Sequence, residues 1–275
     1  MFNEQYLENW VLDCISDPIK KTDVELSSYG TVEGFLDFRV LLKNTHGYND
    51  WKEGQLFFED WESQGTGYKS GVEAYLEEIS ADQEIYEHYP LSGKVLDVGG
   101  LSGTLRHFLG ADVNYVCVDP FEKAPFAFPN EKAEAYPCLK EPFNFVVGNA
   151  EFLPFKESVF DHVHMRSMLD HVQIPDLALI EAKRVLKSSG KLLVGMSVDG
   201  GKNGRVGFFQ SLKDFVRELL ATLGFKRFKD HHTWHPTYLG LMSLAKDNGF
   251  KFVSEHWQSK WKGKVVYILF EKEGA

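Results

Sequence analysis

Cysteine is scarce in this chain of 275 residues, and the three present, Cys14, Cys117 and Cys138, stand far apart. That excludes a disulfide framework or a cysteine-built zinc site; Cys117, inside an apolar run, reads as a core thiol. Long apolar stretches are also missing. None approaches the ~20 residues of a membrane span, and the first residues, with Asn3, Glu4 and Glu8, lack a basic, apolar leader, so a soluble, cytoplasmic protein is expected. Positive charge is in deficit, with 30 Lys and Arg against 40 Asp and Glu and a net charge of −10. Broad nucleic-acid binding depends on neutralising phosphates, so it is argued against. No internal repeat or lysine-bearing phosphate loop occurs. The G-x-G-x-x-G spacing that seats a dinucleotide pyrophosphate fails too, because Gly99 is followed two positions later by Leu101.

What is present suits one large domain, or one domain with a small appendage. An apolar fraction of 43% allows a sizeable core. From Lys94 onward short apolar runs alternate with amphipathic segments, the pattern of a parallel α/β sheet. Lys94–Val98, Asn114–Val118, Phe143–Val147, Phe160–Met165 and Lys191–Met196 read as buried strands. Ile174–Leu186, with Pro175 near its start and Gly190 beyond its end, reads as a helix; so do Leu212–Leu223 and Pro236–Asp247. Phe250–Trp257 and Val265–Phe270 read as an antiparallel hairpin closing the sheet. The expected fold is therefore a Rossmann-like doubly wound sheet, mostly parallel, occupying residues 91–275. Ahead of it lie a small segment, 1–45, and a helical, aromatic region, 46–90. There Val72–Tyr89 reads as a helix, and Tyr48, Trp51, Phe57, Phe58, Trp61 and Tyr68 either pack a core or form a lid over a ligand. Charge is uneven: from Gly201 onward 13 Lys and Arg face 7 Asp and Glu, either a solvated basic face or a tail meeting an anionic substrate group.

The run Lys94-Val-Leu-Asp-Val-Gly-Gly-Leu-Ser-Gly103 is a strand ending in an acid and a glycine-rich turn, where backbone can approach a ligand closely. About twenty residues on, Tyr115-Val-Cys-Val-Asp119 ends a second strand in a carboxylate able to accept from both hydroxyls of a ribose. Together they indicate a nucleoside ligand without a pyrophosphate.

From about Lys94 to its end the chain resembles the class I S-adenosylmethionine (SAM)-dependent methyltransferases, particularly the type 11 subgroup. The motifs come in order: Val95–Gly103 at the glycine loop, Val118-Asp119 at the ribose position, and Gly148-Asn-Ala-Glu-Phe-Leu-Pro-Phe155 at the adenine segment. Phe160–His164 stands at the fourth strand and Arg184–Leu192 at the turn into the fifth. The resemblance implies SAM as cofactor and S-adenosylhomocysteine as product. It implies Gly99, Gly100 and Gly103 under the methionine part, Asp97 near its ammonium group, and Asp119 with Pro120 at the ribose. It also implies Asn149 at the adenine amine, the Ala150 backbone at a ring nitrogen, and Glu151 and Arg166 completing the set, with Glu151 alternatively solvated. Leu101 stands where the family has a glycine, and Phe121–Pro142, with four prolines, is expected to be a loop where the family has a helix. Residues Tyr6–Lys43 resemble the zinc-ribbon-like segment that precedes some bacterial methyltransferase domains. The metal thiols are missing, so a metal-free remnant for packing or partner binding is expected.

A sulfonium methyl is already activated, so the protein must align a nucleophile and, for a hydroxyl, take its proton. In open α/β sheets the crevice lies beyond the carboxyl ends of the strands, which directs attention to Arg166-Ser-Met-Leu-Asp-His-Val172. His171 is a candidate base and Asp170 an orienting group. Asp230-His-His-Thr-Trp-His-Pro236 offers His232 or His235 instead. Three histidines and an acid can also hold a metal, but histidines of a substrate pocket are commoner, so no metal is expected. Gly200–Gly204 reads as a mobile loop. The favoured reading is O-methylation of a small molecule (a sugar, a glycan precursor or a secondary metabolite), with phosphate-bearing acceptors suited to the basic tail. RNA or protein methylation and a non-catalytic scaffold are the alternatives.

Overall fold

The chain is described here from a computed structural model covering residues 6–45, 47–64, 71–121, 128–204, 215–217, 219–225, 229–261 and 263–274. The five apolar runs become adjacent parallel strands: β3 (Lys94–Val98), β4 (Asn114–Asp119), β5 (Asn144–Val147), β6 (Phe160–Arg166) and β7 (Leu186–Ser197). They pair in the order β5-β4-β3-β6-β7, with Leu96 opposite both Val116 and Val163. The C-terminal hairpin of β8 (Phe250–Trp257) and β9 (Val265–Lys272) completes the sheet, β9 lying antiparallel against β7. The fold is thus a mostly parallel, Rossmann-like sheet of seven strands with an antiparallel end. Strand order reverses around β3, which opens a crevice beyond the carboxyl ends of β3, β4 and β6.

Helices cover both faces. α3 (Val72–His88) starts after Gly71 at φ 87° and stops before Pro90; its Ile85 and Tyr86 pack on Val95 and Cys117. α5 (Pro175–Val185) has Pro175 in its first turn, where no N–H is needed, and Lys183 and Arg184 in its last, favourable for the helix dipole. α6 (Tyr238–Asp247) is capped by the Thr237 hydroxyl, which accepts from Gly240 N–H. The helix read over Leu212–Leu223 falls partly outside the described residues; 215–217 and 219–222 are helical.

The N-terminal residues build into the sheet's core. Val11, Ile15 and Phe38 are buried with Leu96, Val98 and Val116. Phe38 N–H donates to Val147 O at 2.8 Å, so the chain at Asp37–Phe38 touches the end of β5 through one isolated parallel bridge. The small hairpin Thr31–Val32 (β1) and Phe35–Leu36 (β2) precedes it. α2 (Tyr48–Gln64) then passes over the crevice.

One expectation fails. Among the described residues of 121–142, the prolines begin structure instead of breaking it: Pro129 caps α4 (Asn130–Ala135), and Pro137 opens the 3-10 turn Pro137–Lys140. Proline removes no hydrogen bond at such positions, because those N–H groups have no partner within the helix. Gly200–Gly204, expected as a loop, holds a 3-10 turn at Gly201–Asn203, whose Lys202 N–H donates to Gly263 O at 2.8 Å, and a side chain on Gly201 would meet that same carbonyl.

Candidate active site

The glycine loop after β3 is shaped by contacts that leave no room for side chains. A Cβ on Gly99 would sit 2.7 Å from the Met168 side chain, and one on Gly100 would sit 2.2 Å from an Asp97 oxygen. Gly99 and Gly103 have φ of 74° and 73°. Leu101 reaches φ 48°, so the leucine adopts the left-handed conformation that a glycine would take freely, and the turn is kept. Its N–H donates to Asp119 Oδ2 at 3.0 Å, while Phe121 N–H donates to Oδ1 at 3.1 Å. Each carboxylate oxygen of Asp119 is thus fixed and still has a lone pair for a ligand hydroxyl. Burial pushes the Asp119 carboxyl up to about 7, against the pull of those two donors.

Asp97 is held from within. His164 Nδ1 and the Tyr115 hydroxyl each lie 2.7 Å from its carboxylate, and Tyr86 OH lies 3.2 Å from His164 Nε2. This buried chain under the loop was not foreseen, since its members come from four elements. Arg166, expected at the cofactor, forks onto buried Asp82 of α3 at 2.5 and 2.9 Å, and Gln258 Nε2 donates to the same carboxylate. Asn149 lines the cavity, but its Oδ1 accepts Val40 N–H at 3.0 Å, so the oxygen is already engaged. Glu151 is not solvated. It is buried, accepts Gln173 N–H at 2.8 Å ahead of α5, and has its carboxyl raised by burial. Pro120 O accepts from Arg39, itself paired with Asp37.

These groups surround one cavity of about 700 Å³, within the range that takes a cofactor-sized ligand. Asp97, Gly99, Gly100, Leu101, Asp119, Pro120, Asn149, Ala150, Glu151 and Arg166 all line it; Gly103 lies just behind the loop. The rest of the lining includes Trp51, Gln55, Phe57 and Phe58 of α2 with Met168, His171, Val172 and His232. His171 is edge-on to Phe58 at 4.3 Å and 4.8 Å from the His232 ring; burial lowers its pKa. His232 is raised by its hydrogen bond to Asp230, which in turn is held well below the carboxylate range. Asp170 faces Nε2 of both rings at 3.7 and 3.8 Å without itself lining the cavity. His235 is half exposed, faces Asp230 at 3.4 Å and does not line the cavity. Trp61 and Tyr68 lie where side chains are not described. Met168 belongs to the stretch expected at the crevice, whereas Lys132 enters the lining without any sequence signal of its own.

Sheet order and glycine turn have the Rossmann-like form found in solved methyltransferase structures. The comparisons with known proteins agree: residues 96–194 match the methyltransferase-domain family model. The ubiquinone/menaquinone biosynthesis C-methyltransferase UbiE of Agrobacterium fabrum is 36% identical over 106 residues, 38% of this chain and 40% of that protein. An uncharacterized protein of Methanocaldococcus jannaschii is 30% identical over 107 residues, 34% of this chain and 52% of its own length. The chain thus spans about half the length, or less, of these relatives. Among solved structures, the 1,6-didemethyltoxoflavin-N1-methyltransferase of Burkholderia thailandensis aligns with a TM-score of 0.56 at 18% identity, covering 86% of this chain and 94% of that one. A SAM-dependent methyltransferase of Thermotoga maritima aligns with a TM-score of 0.53 at 19% identity, covering 83% and 100%. Among the described residues no helix is long and apolar enough to cross a membrane.

Proposed function

We propose that the chain transfers the methyl group of SAM to a hydroxyl oxygen of a small molecule. The observation that carries the cofactor half is Asp119, buried, fixed by two N–H donors and facing the cavity beside the glycine loop. Bound there, SAM supplies a methyl group already activated on a positively charged sulfur. Asp119 accepts from the ribose hydroxyls, and the open backbone at Gly99 and Gly100 receives the methionine part. Phe57, Phe58, Trp51 and Met168 exclude water from the far end, where the acceptor binds. His171 or His232 takes the acceptor's proton, with Asp230 orienting the His232 ring, Asp170 close to both rings and His235 behind them.

The similar proteins are named for C- and N-methylation, so they do not choose the acceptor atom. A cluster of proton-accepting side chains at this wall favours a hydroxyl, which must lose a proton as it is methylated. The neighbour bound to 1,6-didemethyltoxoflavin supports a small acceptor. An anionic acceptor is less favoured, because none of the described Lys or Arg beyond Gly201 lines the cavity. The test is calorimetric titration with SAM and S-adenosylhomocysteine. Micromolar binding lost in Asp119→Ala is expected, and failure of the wild-type chain to bind either would sink the reading.

A further inference from the structure

We propose that Asp170, His171 and His232 form a binding site for a divalent transition-metal cation at the acceptor end of the cavity. Each offers a ligand atom, and the three atoms lie within 4.8 Å of one another. Sixty residues of sequence separate the two halves, and Thr233 joins them. Its N–H donates to Asp170 O at 2.8 Å and its hydroxyl to Val172 O at 2.6 Å.

The spacing separates two explanations of the cluster. Asp170 Oδ1 is 3.7 Å from His171 Nε2, and Oδ2 is 3.8 Å from His232 Nε2. Both are too long for hydrogen bonds. They are close to the ~3.4 Å between ligand atoms around a tetrahedral cation with bonds of about 2.0–2.1 Å, so modest side-chain rotations would complete the set. Asp170 therefore points at both rings and bonds to neither. Asp170 Oδ1 is buried without any hydrogen-bond partner among the described residues, a state that buried polar atoms rarely keep unless something else binds there.

The outer contacts have the form that metal sites use. His232 Nδ1 lies 2.6 Å from Asp230 Oδ1, which places the ring proton on that side and leaves Nε2 with its lone pair toward Asp170. A carboxylate behind a ligating histidine fixes its tautomer and orientation in this way. Two imidazoles and one carboxylate suit Zn²⁺, Fe²⁺, Co²⁺ or Mn²⁺ better than Mg²⁺ or Ca²⁺, which favour all-oxygen sets. Three protein ligands leave positions open for oxygens of an acceptor.

The role of this cation rests on the methyl-transfer reading above and changes its account of the proton. With the ring nitrogens committed, a coordinated acceptor hydroxyl is acidified and releases its proton to solvent. Its oxygen then forms the bond to carbon as the sulfur–carbon bond breaks, the electron pair staying on sulfur to give S-adenosylhomocysteine.

The test is titration of the chelator-stripped full chain with Co²⁺, followed by the visible absorption of low-coordinate cobalt, with SAM titrated into the same samples. One Co²⁺ per chain is expected, with affinity lowered at least tenfold in Asp170→Asn, His171→Ala and His232→Ala. Asp230→Asn should weaken it about ten- to hundredfold, and His88→Ala should leave it unchanged. Retained SAM binding in every variant shows that each is folded. Absence of saturable cobalt uptake, or uptake indifferent to the three ligand variants, overturns the site whatever SAM does. Cobalt bound as expected by a chain that binds no SAM would instead sink the transferase reading and leave the site standing.

Discussion

At the scale of single residues, Asp119 links the cofactor site to pH. Its carboxyl ionises near 7 when folded, against 3.8 for an ordinary aspartate. Between those values the unfolded chain has already given up the proton while the folded chain keeps it. Stability without ligand therefore falls as pH rises from about 4 to 7 and levels off above, a loss on the order of 4 kcal/mol. Ribose hydroxyls donate to the ionised form, so SAM binding expels the proton and affinity should climb through pH 7 to a plateau. Calorimetry at pH 5.5 and 8 should show at least tenfold tighter binding at the higher pH. In Asp119→Asn that pH dependence should disappear along with most of the affinity. Leu101 poses a different balance. Left-handed backbone costs a leucine roughly 1–2 kcal/mol, while glycine gives up about 0.5–1 kcal/mol in the unfolded chain. Leu101→Gly should thus be neutral to slightly stabilising in a denaturant melt. SAM affinity should stay within about threefold, because the N–H to Asp119 belongs to the backbone. The glycine loop and Asp119 were legible in sequence because each is contiguous and ends a strand. The hydrogen bonds of Asn149, Arg166 and Glu151 were not, since their partners Val40, Asp82 and Gln173 come from other elements.

At the scale of elements, the pair Arg166–Asp82 fastens α3 to the end of β6. Asp82 is almost wholly buried, and Gln258, just past β8, donates to the same carboxylate. Removing the acid leaves the partly exposed Arg166 guanidinium without its counter-charge, which costs about 3 kcal/mol, the lower end of the range for a buried pair. Asp82→Ala should lose that much in denaturant unfolding. Asp82→Leu combined with Arg166→Met should recover a large part, because two apolar residues avoid the desolvation of both charges. The strands that this pair steadies were read correctly to within a residue or two at most ends, since buried parallel strands appear as unbroken apolar runs. β7 begins five residues earlier than expected, at Leu186, immediately after α5. Ser188, Ser189 and Gly190 there read as a turn but continue the strand. In the 121–142 stretch the prolines carried two meanings, breaker and initiator, and only tertiary packing of Ala135, Tyr136 and Leu139 on Tyr75 decides between them.

For the whole molecule, the decisive question is whether the first 45 residues are an accessory or part of the fold. Their resemblance to a zinc-ribbon-like unit stripped of its ligands suggested a remnant used for packing or partner binding. The core favours packing. Val11, Ile15 and Phe38 are each no more than 2% exposed and lie in the same core cluster as β3, β4 and β6. Burying three such side chains contributes roughly 1.5–3 kcal/mol apiece, a sum comparable with the 5–15 kcal/mol that holds a typical domain together. The same segment delivers Phe38 N–H to Val147 O and Val40 N–H to Asn149 Oδ1, so it also shapes the Asn149 side of the cavity. A chain starting at residue 46 should therefore be largely unfolded by circular dichroism, or recovered only as aggregate, and should bind no SAM. In the full chain, Phe38→Ala should cost about 3–5 kcal/mol in denaturant unfolding, far more than an accessory could. A truncated protein that melts cooperatively at the full-length temperature would show instead that the sheet closes its own core, and that these residues are the appendage their sequence suggests.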